Sequence, residues 1–408
     1  MRSWLPAISA QCPTITSTMK ILVAHNAYQH SGGEDAVVDA EIALLRSYGH
    51  DVQTYRRHND ELNATPKAEA AVAAIWSRRS AHEVESLCNT FHPEIIHVHN
   101  TFPLISPAIY WAASRRQIPV VQTLHNFRLL CPQAIFLRDG KVCEDCIKKL
   151  PWRAVTRKCY RGSAIQSAVA ATTLTAHRLV GTYREKITRY IALNNFCREK
   201  FIAGGLPRER FRIKPNFVPS DTYPDWNRRH GGLFVGRLSS EKGVETLAEA
   251  VKILGKCEID VIGNGPLASV AEACFGNRSL GFKPLDEIMA RMRSASFLIV
   301  PSICYETSPR TIVEAFSCGL PVIASRLGAL VDIVRDGVTG LLFKTGDASD
   351  LAAKIAWAES HPEEMLRMGQ AARAEYDAKY TPERNYSALR EIYEDAISAV
   401  REETYHVA

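Results

Sequence analysis

Along the chain, short β-branched or leucine-rich runs alternate with stretches whose apolar positions recur every three or four residues. That is the rhythm of a parallel sheet with crossover helices. Lys20–Ala24 reads as a strand, Glu34–Tyr48 as a helix with Val37, Val38, Ile42 and Leu45 on one face, and Val52–Tyr55 as the next strand after a stop at Gly49. Glu94–Val98 and Val120–Leu124 continue the series, the second set off by the turn signal Gln117-Ile118-Pro119. The rhythm restarts at Gly232–Val235, Ile259–Ile262, Phe297–Val300 and Val322–Ala324. Between the two series, Lys214-Pro215-Asn216-Phe217-Val218-Pro219 and the polar stretch Asp221–His230 read as a linker. The pattern predicts an α/β protein of two doubly wound, Rossmann-like domains, 19–217 and 218–381, facing across a cleft. A last helix, 382–408, with Tyr386, Leu389, Ile392, Tyr393 and Ile397 at helical spacing, is expected to return to the first domain. Open sheets of this kind take ligands at the carboxyl ends of their strands.

Composition narrows the class. The 408 residues suffice for two or three domains, and 46% hydrophobic with 23% charged residues is the balance of a soluble globular chain, which excludes disorder and coiled coil. No apolar run approaches the ~18 to 20 residues that cross a bilayer. A net charge of +6 suits an anionic ligand or lipid surface and falls short of a nucleic-acid binder's excess. The eleven cysteines mostly sit in apolar patterns, as Cys257, Cys304 and Cys318 do, which reads as reduced thiols and a cytoplasmic protein. Residues 1–18 contain Pro6 and Pro13 but no continuous apolar core, so they fail as a signal peptide and read as a loose leader or a misassigned start before Met19.

The most informative segment runs from Val300 to Pro321. A buried strand ends, Ser308 suits an N-cap, Pro309 the first helical position, and Gly319 closes the helix. Glu306 then falls in the loop at the strand end and Glu314 inside the helix among Ile312, Val313, Ala315 and Phe316. Carboxylates in such places need partners. With Cys318-Gly319-Leu320-Pro321 behind them, the two glutamates and their seven-residue separation resemble the second domain of glycosyltransferase family 4, the retaining sugar-nucleotide transferases of GT-B fold. The likeness extends from Met19 to about Val400. Gly236-Arg237-Leu238-Ser239-Ser240-Glu241-Lys242-Gly243 is similar to the family's first loop of that domain, and Gly263-Asn264-Gly265 to its next nucleotide loop.

The resemblance implies a hexosyltransferase-type enzyme that moves a sugar from a UDP- or GDP-linked donor to a hydroxyl acceptor, in polysaccharide or lipid-linked glycan synthesis. Arg237 and Lys242 would hold the diphosphate, with Gly33 of the loop Ser31-Gly32-Gly33-Glu34 and Thr307 and Ser308 beside it. Glu306 would act at the sugar, Glu314 would bind the ribose hydroxyls, and strand-end His125 would contact the donor sugar. His99, at the neighbouring strand end, is a candidate for the acceptor side, while His97 reads as structural. No Asp-x-Asp pair occurs, so cations and backbone amides, without a catalytic cofactor, are left to meet the diphosphate charge. A catalytically silent sugar-nucleotide-binding subunit is the competing reading.

Residues 131–159 form a cysteine-bearing insertion. Cys131, Cys143, Cys146 and Cys159 have an order compatible with one structural zinc, with unligated thiols or with a redox pair. From Arg138 to Arg161 there are eight Lys or Arg against three acids, and with Trp152, Tyr160 and the apolar stretch Ala164–Val180 this is a candidate patch for an anionic membrane surface and a lipid-linked acceptor, opposite the reading as a solvated loop. Such binding would make the protein peripheral on the inner face of the cytoplasmic membrane.

Overall fold

In chain order the strands are β1 (Lys20–Ala27), β2 (Asp51–His58), β3 (Ile95–Val98), β4 (Val120–Thr123), β5 (Leu137–Arg138), β6 (Lys141–Val142), β7 (Arg189–Ala192), β8 (Phe211–Ile213), β9 (Gly232–Val235), β10 (Ile259–Ile262), β11 (Ser279–Gly281), β12 (Phe297–Val300), β13 (Val322–Ser325) and β14 (Gly340–Phe343). The computed structural model describes residues 18–29, 32–220, 223–226, 229–255 and 258–407. The leader reading therefore lies outside the described residues apart from Thr18, as do Ser31 and Cys257.

Two six-stranded parallel sheets carry the molecule, in the orders β2-β1-β3-β4-β7-β8 and β11-β10-β9-β12-β13-β14, and β5 and β6 form a separate two-residue hairpin. In each sheet the first strand lies inside, the chain moves to one side, then reverses and continues on the other. The reversals fall between β1 and β3 and between β9 and β12, and these are the crevices where such sheets bind ligands. All four predicted second-series strands are present, while the short β7, β8, β11 and β14, at three or four residues each, carried no separate pattern. β1 and β2 run on through polar ends, to Ala27 and His58, because they pair in register over their whole length.

The terminal helix, Pro382–Val407, does return to the first sheet. Tyr386, Leu389, Ile392, Tyr393 and Ala396 share one core with Met19, Ile21, Val23, Val121 and Ile191. Tyr393 Oη lies 2.7 Å from His97 Nδ1, and Thr123 Oγ1 takes the other ring nitrogen at 2.7 Å, so His97 is a fully bonded structural residue. The chain thus crosses between the sheets twice, and the crossings touch: Val218 N–H donates to the Tyr380 carbonyl at 3.3 Å and Tyr376 Oη to the Val218 carbonyl at 2.6 Å. Among the described residues no helix is long and apolar enough to cross a membrane.

Candidate active site between the two sheets

The second-sheet wall is built from the loops after β9, β10 and β12. After β9 the chain passes Gly236 and Arg237 into a 3-10 turn, Ser240–Lys242, and the helix Val244–Leu254. Gly243 between them has φ +72°, and a Cβ there would stand 1.9 Å from the Pro301 carbonyl, so this turn can lie against the β12 end only with glycine. Gly263 has φ +152° and would meet the Gly236 carbonyl at 1.8 Å. Backbone bonds from Gly236 N–H to Ile262 O, 3.0 Å, and from Leu238 N–H to Asn264 O, 2.9 Å, lock the Gly263-Asn264-Gly265 loop beside Arg237. Arg237 is exposed and has no side-chain partner among the described residues, as suits a guanidinium kept for an anion.

Close packing at Gly243 brings Lys242 to Glu306. Their Nζ and Oε1 lie 2.6 Å apart, and Ser302 Oγ donates to the same oxygen at 2.7 Å. Burial alone would depress the lysine; the Glu306 carboxylate overrides it and holds the ammonium above its ordinary range. Helix Arg310–Ser317 follows. The expected cap is displaced by one residue: Pro309 is the N-cap, with φ −60° and ψ 116°, no side chain caps the helix, and Arg310 is the first helical residue. An extended proline stops the helix one position later, so Ser308 stands ahead of it instead of capping it. One turn inside, Glu314 is buried, which raises its pKa, and Arg310 Nε lies 2.8 Å from it without hydrogen-bond alignment.

The first-sheet wall is carried by histidines at the ends of β1, β3 and β4. His125 is half-buried, and its Nε2 lies 2.8 Å from His99 Nδ1 with the rings stacked. His99, expected on the acceptor side, is only 4% exposed and reaches the cleft through His125. Burial holds both rings well below the usual imidazole range, so both are neutral at pH 7. Behind them Glu41 and Lys214 form a fully buried ion pair at 2.8 Å, with Glu41 Oε1 3.2 Å from His97.

The walls touch beside Glu306. Thr307 Oγ1 donates to the His125 carbonyl at 2.6 Å, and Asn194 Nδ2 donates to the Thr307 carbonyl. Thr307 therefore joins the sheets, and it falls between Glu306 and the uncapped start of the Arg310 helix. Gly33 begins the helix Gly33–Ser47 on the opposite side, where Asp35 receives Gly32 N–H at 3.0 Å and His25 Nε2 at 2.8 Å. Glu34, next to Gly33, was assigned no role from the sequence. Tyr28 Oη reaches its Oε2 at 2.9 Å, Oε1 is buried without a hydrogen bond, and burial raises its pKa. Its place in a Gly-Gly-Glu turn was the available signal. Lys214 was read only as linker, because nothing local to it indicates a partner 173 residues away.

Residues 32–216 match the family described as glycosyl transferase 4-like domain, and residues 232–375 the family described as glycosyl transferases group 1. The two matches fall one on each sheet. An uncharacterized glycosyltransferase of Methanocaldococcus jannaschii is 35% identical over 170 residues, covering 40% of this chain and 48% of that protein. The amylovoran biosynthesis glycosyltransferase AmsK of Erwinia amylovora is 28% identical over 225 residues, 50% of this chain and 55% of that one. The chain thus spans about half the length of these curated relatives. Anabaena HepE in complex with UDP-glucose superposes with a TM-score of 0.65 at 17% identity, covering 92% of this chain and 100% of that chain, a likeness of fold.

The cysteine loop also reaches the site. Tyr305, immediately before Glu306, donates its Oη to Glu144 Oε1 at 2.7 Å, and Lys200 Nζ donates to the same oxygen at 2.7 Å. Phe127, Phe136 and Phe196 pack around the Tyr305 ring. Cys131, Cys143, Cys146 and Cys159 all have free thiols and line one small cavity. Burial, then the three neighbouring sulfurs, push the Cys146 thiol up to about 12.

Proposed function

We propose that the protein is a retaining hexosyltransferase that takes a sugar from a UDP- or GDP-linked donor and places it on a hydroxyl acceptor. The observation that carries this reading is the Lys242–Glu306 pair, 2.6 Å apart at the second sheet's crevice, with Arg237 exposed nearby. Two cations at this position suit a diphosphate leaving group, whose charge grows as the bond to the sugar breaks. The transfer we assign is a front-face displacement. The anomeric C–O bond to the phosphate breaks, the acceptor oxygen bonds to the same face, and its proton passes to the departing phosphate oxygen. Donor phosphate would draw Lys242 from Glu306, freeing that carboxylate to orient sugar hydroxyls and to stabilise positive charge at the anomeric carbon. His125 would meet the sugar as a neutral hydrogen-bonding group, Glu314 the ribose, and the amides of Gly33, Thr307 and Ser308 the phosphates; the Gly263-Asn264-Gly265 backbone would border the nucleotide.

The proposed setting is bacterial polysaccharide or lipid-linked glycan assembly, with the enzyme cytoplasmic and resting on the anionic inner face of the membrane. Exposed Leu150, Trp152 and Ile165, on or beside two helices that pack together, support it, as do exposed Lys148, Lys149, Lys158 and Arg161. The test is release of free nucleoside diphosphate from a panel of UDP- and GDP-sugars, by wild type and Glu306→Gln, with and without membrane extract. Donor-selective release that rises with extract and collapses in the variant is expected. Equal release by both proteins removes Glu306 from the reaction, and donor binding without release favours the silent-subunit reading.

A further inference from the structure

Two clusters outside the reaction could hold a cation. Glu41, His97 and His99 already place one ligand atom each within 4.8 Å of one another. Too few of their atoms stay open, however: Tyr393 and Thr123 take both nitrogens of His97, Lys214 takes Glu41 Oε2 and His125 takes His99 Nδ1, which leaves Glu41 Oε1 without a hydrogen bond but no nitrogen of His97 to join it. The four cysteines differ, because no protein group competes for their sulfurs in a disulfide and all four face one cavity.

We infer that Cys131, Cys143, Cys146 and Cys159 bind one zinc ion as four thiolates, and that the arginines around them balance its charge. As zinc enters, four thiols give up four protons, leaving a centre of net charge −2. Soft, redox-inert tetrahedral ligation by sulfur alone is the preference of zinc among common cellular cations. The surroundings match that charge. Arg138, Arg153 and Arg157 line the same cavity. Arg138 Nε is buried without a hydrogen bond, with the Asp139 carboxylate 3.6 Å away. Arg157 and Arg153 share only Asp145, at 2.5 and 3.6 Å, and Arg178 donates from behind to the Leu129, Leu130 and Cys146 carbonyls. Part of the basic excess of this loop therefore borders the sulfurs.

The backbone supplies a second argument. Of the nine non-glycine residues at positive φ among the described residues, five lie in this loop, Ala134, Phe136, Asp139, Lys148 and Lys158, and Arg161 stands two residues beyond it. Such conformations persist only where the surroundings over-determine them, and here the regular structure is a hairpin of two-residue strands and the five-residue helix Trp152–Thr156. No three of the sulfurs lie within 4.8 Å of one another, so the ion draws the side chains inward by rotation about Cα–Cβ. The consequence reaches the cleft. Glu144 stands between Cys143 and Cys146 and receives Tyr305 Oη beside Glu306, so the metal fixes the first-domain support of that loop.

The test uses the full chain purified from zinc-supplied cells without chelator. Elemental analysis should give one zinc per chain, and a thiol-blocking mercurial should release it. Cobalt added to the stripped protein should give the intense thiolate-to-cobalt band of a tetrathiolate. Cys146→Ser should lose the metal and that band, and the control Cys274→Ser should keep both. Wild-type stoichiometry and the cobalt spectrum need no variant, so a Cys146→Ser chain that fails to fold leaves the test intact. Metal-free protein with no cobalt band, or a disulfide between any two of the four cysteines, overturns the assignment.

Discussion

The two walls of the cleft solve opposite electrostatic problems. The second-sheet wall keeps charge: Lys242 and Glu306 remain an ion pair, 32% and 13% exposed at their side chains, and Arg237 is open to solvent. The first-sheet wall suppresses charge at its surface, where His99 and His125 are held neutral by burial, and stores its ions deeper, in the Glu41–Lys214 pair at 1% exposure each. On the proposed function the second-sheet wall suits a diphosphate, met by cations placed in advance, and the first-sheet wall a neutral sugar and acceptor, oriented by fixed dipoles.

The strongest way to break this contrast is to uncouple the deep pair. Lys214→Met leaves Glu41 buried and unpaired and should cost about 3 to 5 kcal/mol in urea unfolding. Adding Glu41→Gln should restore most of that loss, and additivity of the two would deny that they act as a unit. On the charged wall, Lys242→Ala should lower kcat/KM for the donor by about 10² to 10³-fold, with a far smaller effect on folding. A change confined to KM would make the lysine a binding group alone.

Acid should sharpen the difference between the walls. Burial pushes His97 down to about 4 and His99 and His125 well below 6.5. Between those values and about 6.5 the unfolded chain binds protons that the folded chain refuses. Stability therefore falls as pH drops through 6.5, by up to about 1.4 kcal/mol per pH unit for each ring, which urea unfolding at pH 7.5 and 5.5 would register. A flat profile would mean that the rings are protonated in the fold. The smallest effect belongs to Tyr305→Phe, which removes the hydroxyl reaching Glu144; a loss of about 1 kcal/mol is expected. Activity falling more steeply than stability in that variant would show that this contact positions Glu306.

The charged wall was the legible one. Its residues come from loops directly after strands, where Gly236, Gly243, Gly263 and Pro309 punctuate the chain, so local rules place Arg237, Lys242 and Glu306 near strand ends. The neutral wall was legible in its parts and not in its assembly. His125 and His99 could be set at strand ends, but that they stack, and that Glu41, Lys214 and Tyr393 converge behind them, depends on contacts across 173 and 296 residues that no local pattern encodes. The strands missed for the same reason are the short ones: β8, with Phe211 buried and Ile213 37% exposed, becomes a strand by pairing with β7. The helix cap at Ser308 failed on a one-residue competition, since the neighbouring proline stops the helix equally well.

The returning terminal helix has a mechanical consequence. A pair of bodies tied by a single segment can swing, twist and slide; a second tether alongside the first removes most of those freedoms. Here both tethers run side by side, bonded through Val218, Tyr376 and Tyr380. The motion left cheap is rotation about the line they define, as of a door on its jamb, and a door hung that way returns Thr307 to the His125 carbonyl at every closing.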